Sequence, residues 1–294
     1  MYKGGLPVTK RLEQYLQERC DRYVREFEER DDAVTALKVG LLKERGAQIL
    51  NVKANASNIK RSEQGNQEII RYEAHWQYFI KQKDFYYIEE ENQKRIAVFE
   101  DGECLSETEI QVPQHLDAQE ELQLREAPDF RQYEYNRLKA VQYAERYWQE
   151  YNSAYHAFED DCTNFISQCL HAGGVPVWGQ PNRGNGWWYS GKSWSYSWTV
   201  AHALKLLLQS PKGGPKATEV SSPDQLELGD VICYDFEGDG RTNHTTIVTA
   251  KDYFDMPLVN AHTFDSRQRY WSYEDSTKYT PRMKYTFYHI EDDV

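Results

Sequence analysis

The order of local patterns is the strongest constraint on this fold, because a helical pattern followed by alternating patterns occurs twice along the chain. In the first half, residues 8–45 carry apolar side chains such as Leu12, Leu16 and Cys20 at helical spacing. Residues 69–80 then alternate roughly between apolar and polar side chains, which is typical of a β-strand. The second half repeats this order. The sequence therefore predicts an α+β fold rather than repeated βαβ units.

The first half, residues 1–126, is predicted to be one domain in which a curled antiparallel sheet embraces a helix. Residues 63–66 include Gly65 and suit a hairpin turn. No cluster of catalytic residue types occurs here, so we interpret this domain as an interaction or scaffold domain that could bind a protein partner. Residues 103–130 are acidic and contain two prolines, as connectors do. The boundary is therefore placed near 127. The predicted strands lie near 49–54, 69–80, 84–88 and 95–99.

Composition excludes several classes of protein. The net charge is −12, from 35 basic and 47 acidic residues, so no nucleic-acid partner is expected. The mean hydropathy is −0.85, and no run approaches the ~18 apolar residues of a membrane span. The five cysteines form no regular framework and no Cys-x-x-Cys pair. Neither a metal nor a cofactor is therefore expected.

The second half, residues 127–294, is predicted to begin with a helix over 135–151. A second helix begins near Cys162 and ends at Gly173-Gly174. Asp160 and Asp161 precede it and can cap its start. Further patterns predict a helix over 197–208 and strands over 231–236, 244–250, 258–263 and 284–290.

Cys162 is the first candidate for chemistry, because it lies in the predicted first turn of a helix. Unpaired backbone N–H groups and the helix dipole favour an anion there, and can lower a thiol pKa from about 8.5 to below 7. The two neighbouring aspartates oppose this, so an imidazolium partner is needed. His244 is the best placed of the eight histidines, since it begins a predicted strand after a turn. By residue type alone, a small buried cysteine remains the more common alternative.

A Cys–His pair also needs a polar group that orients the imidazole. Asn260 and His262 lie two residues apart on the next predicted strand and so share one face. The pattern alone cannot choose between them. Cys169 and Cys233 lie within apolar patterns and are predicted to be core residues.

The run Asp161-Cys162-Thr163-Asn164-Phe165-Ile166-Ser167-Gln168, continuing to Gly174, resembles the signature of the bacterial putative amidase domain family. That family is related to the NlpC-type and CHAP peptidoglycan hydrolases, which have a papain-like core. The resemblance covers roughly residues 130–290 and does not extend to the first half. Further matching segments occur in family order at 186–189, 197–199, 228–232, 243–249 and 262–263.

The resemblance implies a papain-like α+β domain with cysteine-dependent amide hydrolase activity, as an amidase or peptidase. Cys162 would be the nucleophile, His244 the general base and His262 the preferred orienting group, with Asn260 as the alternative. The implied substrate is a peptide or a peptidoglycan fragment, cleaved through a thioester. NlpC-type enzymes carry Asp-Cys-Ser-Gly where this chain has Asp-Cys-Thr-Asn. Their peptide preference is therefore not transferred.

Supporting roles follow for residues near the cysteine. The backbone N–H of Cys162 is expected to form part of an oxyanion hole, and Tyr155 in the preceding loop is the candidate for the rest. Asp161 is expected to support the start of the helix.

Five of the eight tryptophans fall between residues 178 and 198, among Gly, Ser, Asn and Tyr. Trp187, Trp188 and Trp194 are predicted to form a groove wall for substrate, or else to pin the loop to its own domain. Trp198 lies in a predicted helix and is expected to pack.

Two other functions remain open from the sequence. The chain could be a catalytically silent binding module that uses the same aromatic groove, or an interaction protein centred on its first domain. The first residues lack the apolar core of a signal peptide, which favours a cytoplasmic or spore-associated protein, with export of a trimmed chain left open.

Overall fold

The computed structural model describes residues 8–25, 33–110, 133–210 and 214–292, with side-chain descriptions starting at Lys10. The chain divides into two compact units, residues 1–111 and 112–294. The predicted boundary near residue 127 lies outside the described residues. Within the described ranges, no helix combines the length and the apolar character needed to cross a membrane.

The first unit consists of two helices followed by a four-stranded antiparallel sheet with the strand order β1-β2-β3-β4. Strand β1 ends at Gln64 and β2 begins at Gln67, with Gly65 in a left-handed conformation at φ +62°. The predicted hairpin turn is therefore confirmed. The elements are α1 (Val8–Val24), α2 (Ala33–Glu44), β1 (Ala47–Gln64), β2 (Gln67–Gln82), β3 (Phe85–Glu100) and β4 (Glu103–Glu109).

The core of this unit lies between α1 and one face of the sheet. On β2, every second side chain is buried, as the alternation predicts. Tyr23 of α1 packs edge-on against Trp76 and Tyr78, with ring centroids 6.1 and 5.2 Å apart. The sheet thus covers the apolar stripe of the helix, as the sequence predicts.

Strand β4 occupies part of the segment that was predicted to be a connector, so that prediction is wrong for Glu103–Glu109. The side chain of its Glu107 is 3% exposed and is ion-paired with Arg19, 2.6 Å away, and with Arg95. Tyr72 donates a further hydrogen bond to Glu107 at 2.6 Å. The acidic composition of this segment did not indicate a strand, because the carboxylate of Glu107 is paired with Arg19 and Arg95, which lie outside the segment.

The second unit is also α+β, which confirms the predicted class. Its sheet is antiparallel throughout, with the order β11-β10-β9-β8-β12-β7. The predicted helix over 197–208 is broken at Val200, which is extended (φ −111°, ψ 121°). The elements are α3 (Arg137–Tyr147), α4 (Cys162–Ala172), β5 (Tyr189–Ser190), β6 (Ser193–Trp194), α5 (Tyr196–Thr199), α6 (Ala201–Leu208), β7 (Ala217–Val220), β8 (Val231–Asp235), β9 (His244–Lys251), β10 (Pro257–Ala261), β11 (Ser266–Tyr270) and β12 (Lys284–Ile290).

Strand β9 is buried on both faces, and this decides where the site residues lie. Thr245 and Ile247 face the helices, since Thr245 hydrogen-bonds Thr163 of α4 and Ile247 joins the core formed with α3 and α4. His244 and Val248 face the other side of the sheet, where Tyr234 lies. Successive side chains of a strand point to opposite faces, so neighbouring residues of β9 enter different cores.

Candidate active site

An open cleft of about 500 Å³ lies at the N-terminal end of α4. Cys162 and Thr163 form part of its wall, and the rest comes from loops of the second unit, from the end of β6, from α5 and from the start of α6. The other lining residues are His156, Ala157, Phe158, Glu159, Asp160, Arg183, Trp194, Tyr196, Thr199, Val200, Ala201, Arg241, Thr242 and Asn243.

Cys162 is the first residue of α4 and is only 3% exposed. Its Sγ lies 3.6 Å from Asp160 Oδ1 and 3.6 Å from Thr163 Oγ1. Burial and the Asp160 carboxylate raise the pKa of this thiol well above its ordinary value, although hydrogen bonds with Thr163 and Thr245 act in the opposite direction. The expected lowering of the pKa is therefore wrong. Desolvation outweighs the helix dipole, and the thiol is the resting form at neutral pH.

Thr263, in the loop after β10, caps the start of α4. Its Oγ1 accepts hydrogen bonds from the backbone N–H of Asp161 at 2.8 Å and of Cys162 at 3.1 Å, and donates to Asp160 Oδ1 at 3.1 Å. Its backbone is left-handed (φ +75°), which is a strained conformation for a β-branched residue. The Cys162 N–H already has a protein acceptor, so the expectation that it would serve as an oxyanion donor is wrong for this conformation.

Asp161 is fully buried and joins α4 to the end of the sheet. Its Oδ2 contacts His262 Nδ1 at 2.7 Å, while Oδ1 accepts from Phe158 N and Asn164 Nδ2, each at 2.9 Å. Its side chain makes no hydrogen bond that caps the helix, in contrast to the expected capping role. Its support for the helix therefore comes through tertiary contacts.

His262 does not orient His244. Its Nδ1 faces Asp161, and its Nε2 lies 2.6 Å from the carbonyl oxygen of Tyr147. The ring lies between Phe165 and Tyr151, at centroid distances of 4.0 and 4.5 Å. Burial opposes protonation, yet the hydrogen bond with Asp161 and the nearby carboxylates raise the pKa of His262 above its usual value. Two acceptors facing the two ring nitrogens favour an imidazolium.

His244 is 1% exposed and lies on the opposite face of the sheet from Thr245 and α4. Its ring is surrounded by four aromatic rings, and its Nε2 has no hydrogen-bond partner among the described residues. Burial and Arg269 lower its pKa to about 3, so the ring is neutral. The structure does not bring His244 into contact with Cys162. The surrounding rings, at centroid distances of 5.5 to 6.0 Å, are Tyr234, Phe236, Phe264 and Tyr273.

Asn260, the alternative orienting residue, also has other partners. Its Oδ1 accepts from Thr249 Oγ1 and from the backbone N–H of Gln268, each at 2.8 Å. Its Nδ2 donates to Glu145 Oε1 at 3.0 Å. The proposed orientation of His244 by Asn260 is therefore wrong in this structure, and Asn260 instead links β10 to β9, β11 and α3.

The tryptophans divide between core and cleft. Trp187 and Trp188 are 0% and 1% exposed and do not line the cleft, so of the two predicted alternatives the structure agrees with rings that pin the loop to its own domain rather than with a groove wall. Trp187 Nε1 donates to Ser167 Oγ at 3.0 Å, which fixes the ring inside the core. Trp194 does line the cleft, and its ring stacks on His156 with centroids 5.5 Å apart.

Tyr155 belongs to an aromatic cluster beside α4. Its ring packs against Tyr189 and Trp198, with centroids 5.0 and 6.0 Å apart. It is not among the residues that line the cleft. The structure therefore gives no support to its predicted part in an oxyanion hole. Cys169 and Cys233 are buried core residues, as predicted.

Several cleft residues were not found by sequence reasoning. Asp160 was considered as a cap and as a charge that opposes a thiolate, but not as part of a cleft wall. Thr263, which caps α4 without lining the cleft, was considered only as part of a matching segment. His156 and Arg183 lie in irregular loops, where no periodic pattern marks them. Among the described residues, no group of three or more His, Cys, Asp or Glu side chains is arranged to hold a metal ion.

The region that contains this cleft matches a known family. A family model described as "Putative amidase domain" matches residues 134–288, which is more than half of the chain. The chain belongs to this amidase family.

Relatives of this family member occur in Bacillus subtilis (strain 168). One is named "Uncharacterized protein YhbB" and is 48% identical over 310 residues, covering 99% of this chain and 98% of the relative. Another, "Uncharacterized protein YjcM", is 32% identical over 125 residues, which is 40% of this chain and 28% of the relative. No solved structure matches the chain.

Proposed function

We propose that this protein hydrolyses amide bonds and that Cys162 is its nucleophile. The observation that carries the proposal is the position of Cys162, which begins α4 and lines an open cleft of about 500 Å³ in the domain matched by the amidase family. Ligand-binding clefts of this size admit a short peptide segment. Phe158, Trp194 and Tyr196 line the same cleft and give its wall apolar surface against which a peptide can pack.

The proposed reaction proceeds through a thioester. The Cys162 sulfur loses its proton to a base and attacks the amide carbonyl, the C–N bond breaks, and the amine leaves with a proton. Water then hydrolyses the thioester and releases the acid and the free thiol. Burial keeps the thiol protonated at rest, so the proton must move when substrate binds rather than beforehand.

His244 remains the proposed general base. Its ring is neutral, and its Nε2 lacks a protein partner in the described part of the chain, so it is able to accept a proton. This role requires the ring to leave its aromatic neighbours and approach Cys162. In its more specific form, the proposal is that the protein is a cysteine peptidase related to the NlpC and CHAP enzymes. Such an enzyme would have a papain-like core and would cleave a cell-wall peptide.

Hydrolysis by matched variants tests the nucleophile. The full chain is incubated with peptidoglycan stem peptides and with unrelated short peptides, and new amino groups are identified by mass spectrometry. We expect turnover by the wild type and by C104A, which changes a cysteine of the first unit, and no turnover by C162A. Turnover retained in a folded C162A protein would refute Cys162 as nucleophile.

A second set of variants tests the base. H244N is expected to lose turnover, whereas H156N, which changes a histidine in the cleft wall, is expected to keep most of it. The opposite result would move the role of base from His244 to His156. Circular dichroism spectra of both variants show whether either one has lost its fold.

The second candidate function is a catalytically silent binding module. The raised pKa of Cys162 and the separation of His244 from it favour this alternative. A stem peptide that binds wild type and C162A equally, with no cleavage by either, would establish it.

A further inference from the structure

Arg183 is a cleft residue that the proposed chemistry does not use. Its guanidinium lies over the ring of Tyr196, 4.7 Å from the centroid, and 5.7 Å from the centroid of Trp194. Its Nε donates to the carbonyl oxygen of Trp194 at 3.1 Å, and the backbone N–H of Tyr196 donates to the Arg183 carbonyl at 2.8 Å. Both the backbone and the side chain of Arg183 are therefore held in place.

The two terminal nitrogens of Arg183 have no protein acceptor among the residues that the structure describes. They form one edge of a planar group whose spacing matches the two oxygens of a carboxylate. Since Arg183 is exposed and lines the cleft, this edge is accessible to a molecule bound there. The aromatic rings reduce the conformational freedom that an arginine loses when it binds an anion.

The charge around Arg183 limits which anion fits. Arg241 adds a second positive charge to the cleft, while Glu159 and Asp160 add two negative charges. A group with a single negative charge is repelled less by these carboxylates than a phosphate dianion would be. Carboxylates are also the anionic groups that peptides carry.

We propose that Arg183 binds a carboxylate of the ligand, so that this cleft selects peptides that present a free carboxylate to it. The consequence for catalysis rests on the proposed function, because it makes the cleaved amide part of such a peptide. The binding step does not depend on turnover. The carboxylate could come from a side chain or from the C-terminus of the peptide, and the two sources are distinguished by experiment.

Isothermal titration of the full chain carrying C162A measures binding without cleavage. The probes are acetyl-Ala-Glu-Ala-amide against acetyl-Ala-Gln-Ala-amide, and acetyl-Ala-Ala-Ala as the free acid against its amide. We expect the acidic member of at least one pair to bind about twofold to fivefold more tightly than its neutral partner. The first pair reports a side-chain carboxylate, and the second reports a C-terminal one.

Substitution of Arg183 is expected to remove this preference. In the C162A background, R183M should give equal Kd values for the acidic and the neutral probe. R183K should keep part of the difference, because lysine still supplies a positive charge. R146M is the matched control. Arg146 also lies over an aromatic ring, 5.4 Å from the centroid of Tyr147, and pairs with Glu150 outside the cleft. This control should leave the preference unchanged.

Equal binding of acidic and neutral probes, no binding of any probe, or an R183M protein that keeps the preference would overturn the role of Arg183. These results are separable from those that test the hydrolase. A carboxylate preference without cleavage by the wild type leaves Arg183 supported and the hydrolase refuted. Cleavage of neutral and acidic peptides at equal rates supports the hydrolase and refutes the role of Arg183.

Discussion

Substitution of Asp161 tests whether the contact between α4 and His262 holds the site together. D161A removes the acceptor of three hydrogen bonds, from His262 Nδ1, Phe158 N and Asn164 Nδ2. At about 1 to 1.5 kcal/mol for each bond, the expected loss is about 3 to 4.5 kcal/mol of unfolding free energy, in the range for a buried charged pair that loses one partner.

D161N should cost much less, roughly 1 kcal/mol near pH 8. The amide oxygen can still accept from Phe158 and Asn164, and the amide nitrogen can donate to His262 Nδ1. This requires a neutral His262 with its proton on Nε2, where the Tyr147 carbonyl already lies at 2.6 Å. The variant therefore exchanges an ion pair for a neutral hydrogen bond of similar shape.

The pH dependence distinguishes these two states. In the wild type the folded pKa of His262 is raised, so the pair contributes stability fully below the unfolded pKa of about 6.5 and loses it as pH rises through the folded pKa. Each unit by which the folded pKa exceeds the unfolded pKa adds about 1.4 kcal/mol to the unfolding free energy at low pH. In D161N the charge that favours the imidazolium is gone. The stability difference between wild type and D161N should therefore grow as pH falls from about 8 to about 6.

Urea unfolding followed by tryptophan fluorescence measures these differences in the second unit, because Trp76 is the only one of the eight tryptophans in the first. E150Q, which changes an exposed carboxylate paired with Arg146, is the control and should stay within about 0.5 kcal/mol of wild type. A D161A protein within about 1 kcal/mol of wild type, or a D161N difference that is independent of pH, would refute the reasoning.

Two further predictions concern packing and buried charge. G173A should destabilise the second unit by about 1 to 3 kcal/mol, because an added Cβ would lie 2.4 Å from Tyr135 Cε2; an unchanged urea midpoint would contradict this. E107Q should destabilise the first unit by about 3 to 5 kcal/mol, since it leaves Arg19 and Arg95 buried without their carboxylate. Burial opposes ionisation of Glu107, but the two arginines hold its pKa below the usual value, so the contribution is present above about pH 4.3 and is lost as pH falls through the folded pKa. Hydrogen exchange across 95–109, compared near pH 7 and near pH 4, should show the difference from wild type shrinking in acid, and a constant difference would count against the charge argument.

The elements that could be predicted were those with a local pattern. Helix α4 follows from its apolar stripe and from the glycines that end it, and the first hairpin follows from Gly65. Strand β4 could not be predicted, because its residues are exposed or only partly buried and therefore carry no apolar alternation. The break at Val200 likewise has no local signal, because residues 196–208 contain neither glycine nor proline.

The candidate site was harder to predict than the fold, for two physical reasons. The sequence argument for Cys162 weighed the helix dipole against the two neighbouring aspartates, but it could not include how completely the folded chain removes water from the thiol, which is the largest influence on its pKa. For His244 the strand was predicted, but the side of the sheet to which the histidine points was not. The first six residues of β9 are all buried, so alternation of polar and apolar residues could not indicate which side chains meet α4.

The Asp-Cys-Thr-Asn-Phe string is best explained as a device that positions the end of α4. Asp161 binds His262 of the loop after β10, and Thr163 Oγ1 lies 3.2 Å from Thr245 Oγ1 of β9. Asn164 links the backbone of the preceding loop to the indole of the Trp198 side chain. Each of these contacts fixes a different direction of the helix, so together they leave Cys162 at one place on the cleft wall. The string is therefore specific because several of its side chains must find their hydrogen-bond partners at the same time. This requirement is the same whether Cys162 is a nucleophile or the cleft only binds a ligand.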